Sequence, residues 1–263
     1  MRADKFFAEK FGSRTKAAEA IEKGLVLVKG KTIRPKDEIM GTEEISFVVA
    51  EENFVSNGGY KLSRALKEFS FSCKNMVFAD IGASTGGFTD CLLQNGAKKV
   101  FAVDVGESLL HESLQNDSRI VRMENTNARY LTKESFSESI DGLVMDVSFI
   151  SIRLILPAIS TILSNDSSAF LLIKPQFECE KKNIGKSGIV HPSAHPDIVK
   201  KILLACAEYA LNPCGIVNAP IRKGKNIEYV LFVKKGQIVA ENNRFIIEKV
   251  KKLIKEYSLG RLQ

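Results

Sequence analysis

Ten consecutive residues, Asp80-Ile81-Gly82-Ala83-Ser84-Thr85-Gly86-Gly87-Phe88-Thr89, have the types and spacing of a ligand-binding turn. An apolar run precedes them and a helical pattern follows. Glycines let the backbone turn tightly and approach a ligand without a Cβ, and the helix start adds free N–H donors. Eighteen residues past Gly86, the next apolar run ends in Asp104, a carboxylate placed to accept hydrogen bonds from a ribose diol. The spacing is Gly-x-x-x-Gly-Gly, which lacks the central glycine of a dinucleotide fingerprint, and no Gly-Lys-Ser/Thr follows. Asp80 at the head of the loop disfavours phosphate and suits a cofactor carrying an amino or sulfonium charge. S-adenosylmethionine fits that description better than NAD or ATP. Asn127, in Asn-Thr-Asn-Ala-Arg, is a candidate for the adenine region, with a loop cap as the competing role.

Two further ionisable residues close apolar runs: Asp146 in Val-Met-Asp-Val-Ser-Phe-Ile-Ser, and Lys174 in Leu-Leu-Ile-Lys-Pro-Gln-Phe-Glu. Ligands of open α/β sheets sit outside the carboxyl ends of the strands, so these two would face a site together. A structural salt bridge at the sheet rim is the alternative. Lys61, in Gly-Gly-Tyr-Lys-Leu, and Glu228, in Lys-Asn-Ile-Glu-Tyr, say little alone, because such residues are usually solvated.

The elements that must position these residues follow from periodicity. Strands are expected at 76–81, 100–105, 120–123, 143–146, 169–173, 215–220 and 227–233. Helices are expected at 61–69, 87–94, 108–115, 132–137, 154–163, 196–209 and 242–257. This alternation is α/β, with a seven-stranded, mostly parallel sheet covered on both faces. Only about six residues precede the last strand, too few for a helical crossover, so it should run antiparallel. Ahead of this body, residues 1–52 form a small α+β module. It holds a short helix from Asp4 to Phe11, a second from Thr15 to Lys23 after Ser13, and strands at 25–28, 31–34 and 45–50. Residues 53–58 are expected as a linker, and 59–263 as the body.

The 263 residues are 44% hydrophobic and 26% charged, an ordinary globular composition. Apolar runs such as Ala169–Ile173 and Tyr229–Val233 are far short of the ~20 residues of a membrane helix. The charged start of the chain does not read as a secretory signal. Five scattered cysteines without a CxxC pair, and three histidines, point to a reducing compartment and no metal site. Residues 1–40 carry ten basic against six acidic side chains, more than half of the net +7 in about a seventh of the chain. A basic head on a nearly neutral body suits a nucleic-acid handle, or simply a solvated face.

The head, with Met-Arg-Ala-Asp, then Ser13-Arg-Thr-Lys-Ala-Ala and Ile21-Glu-Lys-Gly-Leu-Val-Leu-Val-Lys-Gly-Lys31, resembles the S-four type of RNA-binding module. The body resembles the FtsJ-like methyltransferases through Val55-Ser-Asn-Gly-Gly-Tyr-Lys61-Leu, the glycine loop into Asp90-Cys91, Asp146-Val-Ser-Phe-Ile-Ser and Lys174-Pro-Gln-Phe-Glu. The whole chain resembles the TlyA family, S-adenosylmethionine-dependent ribosomal RNA 2′-O-methyltransferases that modify cytidine and often carry a haemolysin label. It departs from the usual pattern at Ala3, where the head has Leu, and at Asn57, where Arg precedes the double glycine.

The resemblance implies a Rossmann-like methyltransferase fold and a Lys-Asp-Lys-Glu catalytic set at Lys61, Asp146, Lys174 and Glu228. Lys174 would be the base, Asp146 would orient it, Lys61 would hold the attacking oxygen, and Glu228 would fix Lys61. It also implies a cofactor site at Asp80, Gly82, Ala83, Ser84, Thr85, Gly86, Gly87, Phe88, Asp104, Asn127 and Asp146. RNA contacts are expected at Arg2, Arg14, Lys16, Lys23, Lys29 and Lys31. The partner implied is ribosomal RNA within ribosomal subunits, chiefly the large one, met in the cytoplasm. Three alternatives stand beside this reading: an RNA-binding protein with haemolysin-like membrane activity, one with a catalytically dead second domain, and a dinucleotide-dependent oxidoreductase.

Overall fold

A computed structural model describes residues 1–22, 24–47, 53–222 and 224–260. The chain divides into two units, Met1–Asn53 and Phe54–Gln263. In the first unit, α1 (Ala3–Phe6), α2 (Ala8–Phe11) and α3 (Arg14–Glu22) precede a small antiparallel sheet. Its strands are β1 (Val26–Val28), β2 (Lys31–Thr32) and β3 (Ile45–Phe47), in the order β2-β1-β3. The single helix expected from Asp4 to Phe11 is broken at Phe7, and Gly12 ends it in the left-handed region at φ 80°. Ala3, Phe7, Ala17, Ile21, Val26 and Ile39 form this unit's own core.

In the second unit the strands are β4 (Val77–Ile81), β5 (Lys99–Val103), β6 (Ile120–Met123), β7 (Gly142–Met145), β8 (Ser168–Ile173), β9 (Leu211–Asn218) and β10 (Tyr229–Lys235). They form one sheet in the order β6-β5-β4-β7-β8-β10-β9. The strands from β6 to β8 pair in parallel, while β10 runs antiparallel to both β8 and β9, as the short gap before it requires. The strands at the centre are buried throughout and mostly apolar because both faces are covered. One face buries Leu143, Met145, Leu171 and Ile173 with residues of α6 (Leu156–Ile162), α8 (His195–Glu208) and α9 (Ala240–Ser258). The other buries Phe78, Val144, Phe170 and Phe232 with Leu62 and Leu66 of α4 (Asn57–Glu68) and Leu92 of α5 (Gly87–Gln94).

Three expectations are corrected. Residues 54–58 are part of the second unit rather than a linker. Phe54 is buried against Gly59, where a Cβ would lie 2.2 Å from the ring, Val55 N donates to Asp90 Oδ2 at 2.8 Å, and Ser56 caps α4. A polar, glycine-rich stretch here makes a helix start. The helix expected at 108–115 is only a 3-10 turn, Glu112–Leu114. Ser108 sits at φ 54°, and Leu110 and Leu114 are anchors of a loop that covers Ala83 and Ala102, so their i, i+4 spacing carries no helix. The helix expected at 132–137 is likewise a short 3-10 turn, Lys133–Ser135, whose capping box with Thr132 satisfies its few backbone groups locally.

Candidate active site

The glycine loop connects β4 to α5. Gly82 at φ 80° and Gly86 at φ 89° occupy left-handed backbone that a Cβ would strain. Gly82 also approaches the end of β7 so closely that a Cβ would lie 2.8 Å from the Asp146 carbonyl oxygen. The starts of α4 and α5 meet at glycines too, for a Cβ on Gly87 would lie 2.1 Å from Ser56 Oγ. The result is a cleft of about 140 Å³ lined by Ser56, Gly58, Gly82–Thr85, Gly87, Phe88, Asp146, Ser148 and Lys174. A second, much smaller cleft of about 10 Å³ shares Ala83 and Ser84 and includes Asp104, Gly106, Leu109 and Leu110.

The sequence-expected cofactor residues fall into three groups. Gly82, Ala83, Ser84, Thr85, Gly87, Phe88 and Asp146 line the first cleft, and Gly86 shapes it as the cap of α5. Asp104 lies in the second, its Oδ2 accepting from Ser84 N and its Oδ1 from Gly106 N, both at 2.8 Å. Asp80 and Asn127 line neither. Asp80 is fully buried beneath the loop, where Thr89 Oγ1 donates to its Oδ2 at 2.6 Å and Oδ1 has no partner among the described residues. Burial pushes its carboxyl up to about 7, despite the Thr89 bond, and the charges of Asp146 and Asp104 push the same way. Asp80 therefore supports the loop from below. Asn127 acts as the loop cap, its Oδ1 accepting from Arg129 N and Nε.

Lys61, Asp146, Lys174 and Glu228 come from α4, the end of β7, the end of β8 and the approach to β10, and they meet in one row. Glu228 Oε2 lies 2.7 Å from Lys61 Nζ, which lies 3.6 Å from Asp146 Oδ2. Asp146 Oδ1 lies 2.5 Å from Lys174 Nζ. The last contact is an ion pair without an aligned hydrogen bond, and Lys174 Nζ donates instead to Ser148 Oγ at 2.6 Å. All four side chains are four-fifths or more buried, so the alternating charges compensate one another in partial desolvation. Asp146 and Lys174 line the glycine-loop cleft. Lys61 and Glu228 line a larger one of about 500 Å³, walled by Asn57, Tyr60, Gln176, Ser187–Ile189, Ala219, Pro220, Arg222 and Gly224–Asn226.

Residues 54–235 match the FtsJ-like methyltransferase family. The 16S/23S rRNA (cytidine-2′-O)-methyltransferase TlyA of Mycobacterium tuberculosis is 38% identical over 226 residues, 84% of each chain. The 23S rRNA (cytidine-2′-O)-methyltransferase TlyA of Campylobacter jejuni is 32% identical, over 90% of this chain and 100% of that one. A solved structure from Streptococcus thermophilus that carries the name hemolysin is 34% identical, covers 98% of both chains and superposes with a TM-score of 0.72.

The chain belongs to the TlyA family of FtsJ-like methyltransferases. The resemblance read from its motifs and the α/β, Rossmann-like methyltransferase fold are thus both found. The fold implies S-adenosylmethionine as cofactor, and the loop fits it: a glycine cradle with no room for a Cβ, the Asp104 carboxylate in the neighbouring cleft and a neutralisable buried aspartate beneath. Among the described residues no helix is long and apolar enough to cross a membrane.

Two supporting residues escaped the sequence. Ser148 holds Lys174. Glu178, buried at the end of the short helix α7 (Pro175–Glu178), accepts from Ser151 Oγ at 2.6 Å and Ile152 N at 2.7 Å, and lies 3.5 Å from Arg153 Nε. Burial raises its carboxyl above the usual range against those bonds. It ties the segment following Lys174 to the segment following Asp146. The signal was present in Lys174-Pro-Gln-Phe-Glu178, but a lone Glu gives no hint of its partners.

The head residues are placed separately. Arg2 and Arg14 both clasp the buried carboxylate of Asp4, at 2.7 and 3.1 Å, and that pairing holds Asp4 below the usual carboxylate range. Lys29 and Lys31 stand on the β1–β2 hairpin, at the turn and the outer strand. Lys23 and the side chain of Lys16 lie outside the described residues.

Proposed function

We propose that this chain transfers a methyl group from S-adenosylmethionine to the 2′-oxygen of a cytidine in ribosomal RNA, with 23S rRNA as the first target and 16S rRNA as the second. The observation that carries the reading is the row Glu228–Lys61–Asp146–Lys174, which runs from the glycine-loop cleft to the larger cleft beside it. Both TlyA relatives described above are named for 23S cytidine chemistry, and the M. tuberculosis one for 16S as well.

The cofactor supplies a methyl on a sulfonium, a leaving group that departs as a neutral thioether. What remains for the protein is to bring the ribose hydroxyl in line and to take its proton. Lys174 is the proposed proton acceptor, fixed by Ser148 and facing Asp146. Asp146 holds Lys174 and Lys61 apart at a set distance. Lys61, pinned by Glu228, donates to the attacking oxygen and steadies it as the O–H bond breaks. Removal of one member leaves its partner charge without compensation in a half-dry site, so the set works as a unit.

The unit ending at Asn53 is the proposed RNA handle, with Lys29 and Lys31 as its free phosphate contacts and Arg2 and Arg14 shared between Asp4 and RNA. A reaction on ribosomal RNA supports a cytoplasmic location. The test is a map of ribose methylation on 23S and 16S rRNA from cells with and without the gene, complemented by wild type or Lys61→Met. A 2′-O-methylcytidine that vanishes without the gene, returns with wild type and stays absent with Lys61→Met is expected. Identical maps from expressing and deleted cells overturn the reading.

A further inference from the structure

The charges that line the two larger clefts sort into pairs and a remainder. Asp146 and Lys174 face each other at the glycine-loop cleft, and Lys61 and Glu228 pair at the cleft beside it. Glu228 is the one carboxylate among the described residues lining that second cleft. Arg222 and Lys225 are left over there, exposed and without an ion pair among the described residues. A third such cation, Lys186, stands exposed at the tip of a small hairpin over residues 183–191. In it Ile184 bridges Val190, Gly188 N donates to Gly185 O at 2.9 Å, and Gly185 N donates to Ile189 O at 2.8 Å. Residues Ser187 to Ile189 of this hairpin line the same cleft.

Exposed lysines and arginines are usually just solvated. Here the two loops that carry them are tied together. Asn226, the residue after Lys225, uses both ends of its amide: Oδ1 accepts from Val190 N at 2.8 Å and Nδ2 donates to Gly188 O at 3.0 Å. One partner can only donate and the other can only accept, so the amide has a single orientation. Val190 belongs to the core, which gives the hairpin a fixed base. Two residues past Asn226, Glu228 meets Lys61. The leftover cations therefore sit on a frame that is joined to the catalytic row.

We propose that the two loops form a clamp for the RNA backbone. Lys186, Arg222 and Lys225 hold phosphates that flank the target nucleotide, and Asn226 is the positioning residue that keeps the two loops in register. This rests on the proposed 2′-O-methylation and names the part of the second unit that grips its substrate. A polyanion complements the leftover charge, and the catalytic pairs stay intact while it binds. Phosphate contacts set register and orientation without reading sequence. A reaction at a ribose needs that kind of contact, because in-line transfer depends steeply on where the attacking oxygen stands. Phosphates held on a frame that continues into Glu228 bring the 2′-oxygen to Lys61 at a set place.

The test measures kcat/KM on 23S rRNA from cells lacking the gene, over a range of potassium chloride concentrations. The variant Lys186→Ala/Arg222→Ala/Lys225→Ala should lower kcat/KM roughly tenfold or more, mostly through KM, and reduce the salt slope by about 2, at about 0.7 per contact on a single strand. Its S-adenosylmethionine affinity, read by calorimetry, should stay within about threefold of wild type, because the three residues lie outside the glycine-loop cleft. Arg222→Lys, which keeps the charge, should fall less than Arg222→Ala. Asn226→Ala keeps all three cations and should raise KM severalfold. That effect should shrink when the three cations are already gone, whereas a merely structural fault would lower activity by the same factor in both backgrounds. Undiminished kcat/KM and salt slope in the triple variant overturn the clamp, and an Asn226→Ala effect equal in both backgrounds removes Asn226 from it. If wild type methylates no rRNA, the 2′-O-methylation reading falls and this inference with it; methylation that is indifferent to the triple variant sinks the clamp alone.

Discussion

Replacement of Gly82 by alanine tests the closest approach in the site. Two costs add at this position. The backbone sits at φ 80°, where an L-residue costs about 1–2 kcal/mol. The new Cβ would lie 2.8 Å from the carbonyl oxygen and 3.1 Å from the carbonyl carbon of Asp146, atoms that yield only if the end of β7 moves. Overfilling of that kind costs about 1–3 kcal/mol. The total is about 2–5 kcal/mol, or roughly 5–15 °C in Tm for a unit of this size. Gly96→Ala is the control: φ is 85°, but the nearest atom to its Cβ is 3.6 Å away, so only the first cost applies. Scanning calorimetry of both variants, with titration of S-adenosylmethionine, separates the costs. Gly82→Ala should melt below Gly96→Ala and lose cofactor affinity, and its single-turnover rate should fall because the displaced carbonyl belongs to Asp146. Equal melting temperatures with intact cofactor binding would refute the reasoning.

Asp104→Ala should weaken S-adenosylmethionine binding by about 1–3 kcal/mol, read by calorimetry, because it removes the proposed ribose acceptor and frees the Ser84 and Gly106 amides. His195 is buried against the Tyr229 hydroxyl at 2.8 Å, and burial depresses its ring to about 4 from 6.5. The unfolded chain takes up that proton first as pH falls, so its share of stability is present above pH 6.5 and fades towards pH 4. It amounts to about 2 kcal/mol lost by pH 5. Asp80, raised to about 7, acts in the opposite sense over an overlapping range, so denaturation midpoints of wild type and His195→Gln at pH 7.5 and 5 must be compared; parallel losses would exclude His195 as the source. Lys29→Ala with Lys31→Ala should weaken RNA binding and lower the salt slope by about 2 at unchanged Tm and cofactor affinity. An unaltered slope would remove the hairpin from the RNA contact.

What could be read from the sequence was local. The glycine loop, Asp104, Asp146 and Lys174 each sit where an apolar run ends, and that pattern alone puts them at the carboxyl edge of a sheet. The direction of β10 followed from the length of the gap before it. Contacts between distant segments left no mark: Ser148 meets Lys174 across 26 residues and Glu178 meets Ile152 across 26. Leu110 and Leu114 imitated a helix because loop anchors and helix faces share the same spacing. Ser56-Asn-Gly read as the end of a linker because helix starts and linkers draw on the same residues. The pairing of Arg2 and Arg14 with Asp4 was hidden for the opposite reason, since a run of mixed charge looks solvated until one carboxylate is seen to be buried.

The reversed direction of β10 has an outcome for how this enzyme can change. The parallel strands β4, β5, β7 and β8 hand over their site residues on leaving the sheet, whereas β10 delivers Glu228 on entering it. The turn between β9 and β10 thereby becomes a wall of the larger cleft, remote in sequence from the glycine loop and from Asp104. Insertions or substitutions at residues 219–226 can reshape the larger cleft, the proposed substrate side, while the glycine-loop cleft keeps its geometry. A family built on this sheet can therefore drift in target along one short hairpin and hold its chemistry constant.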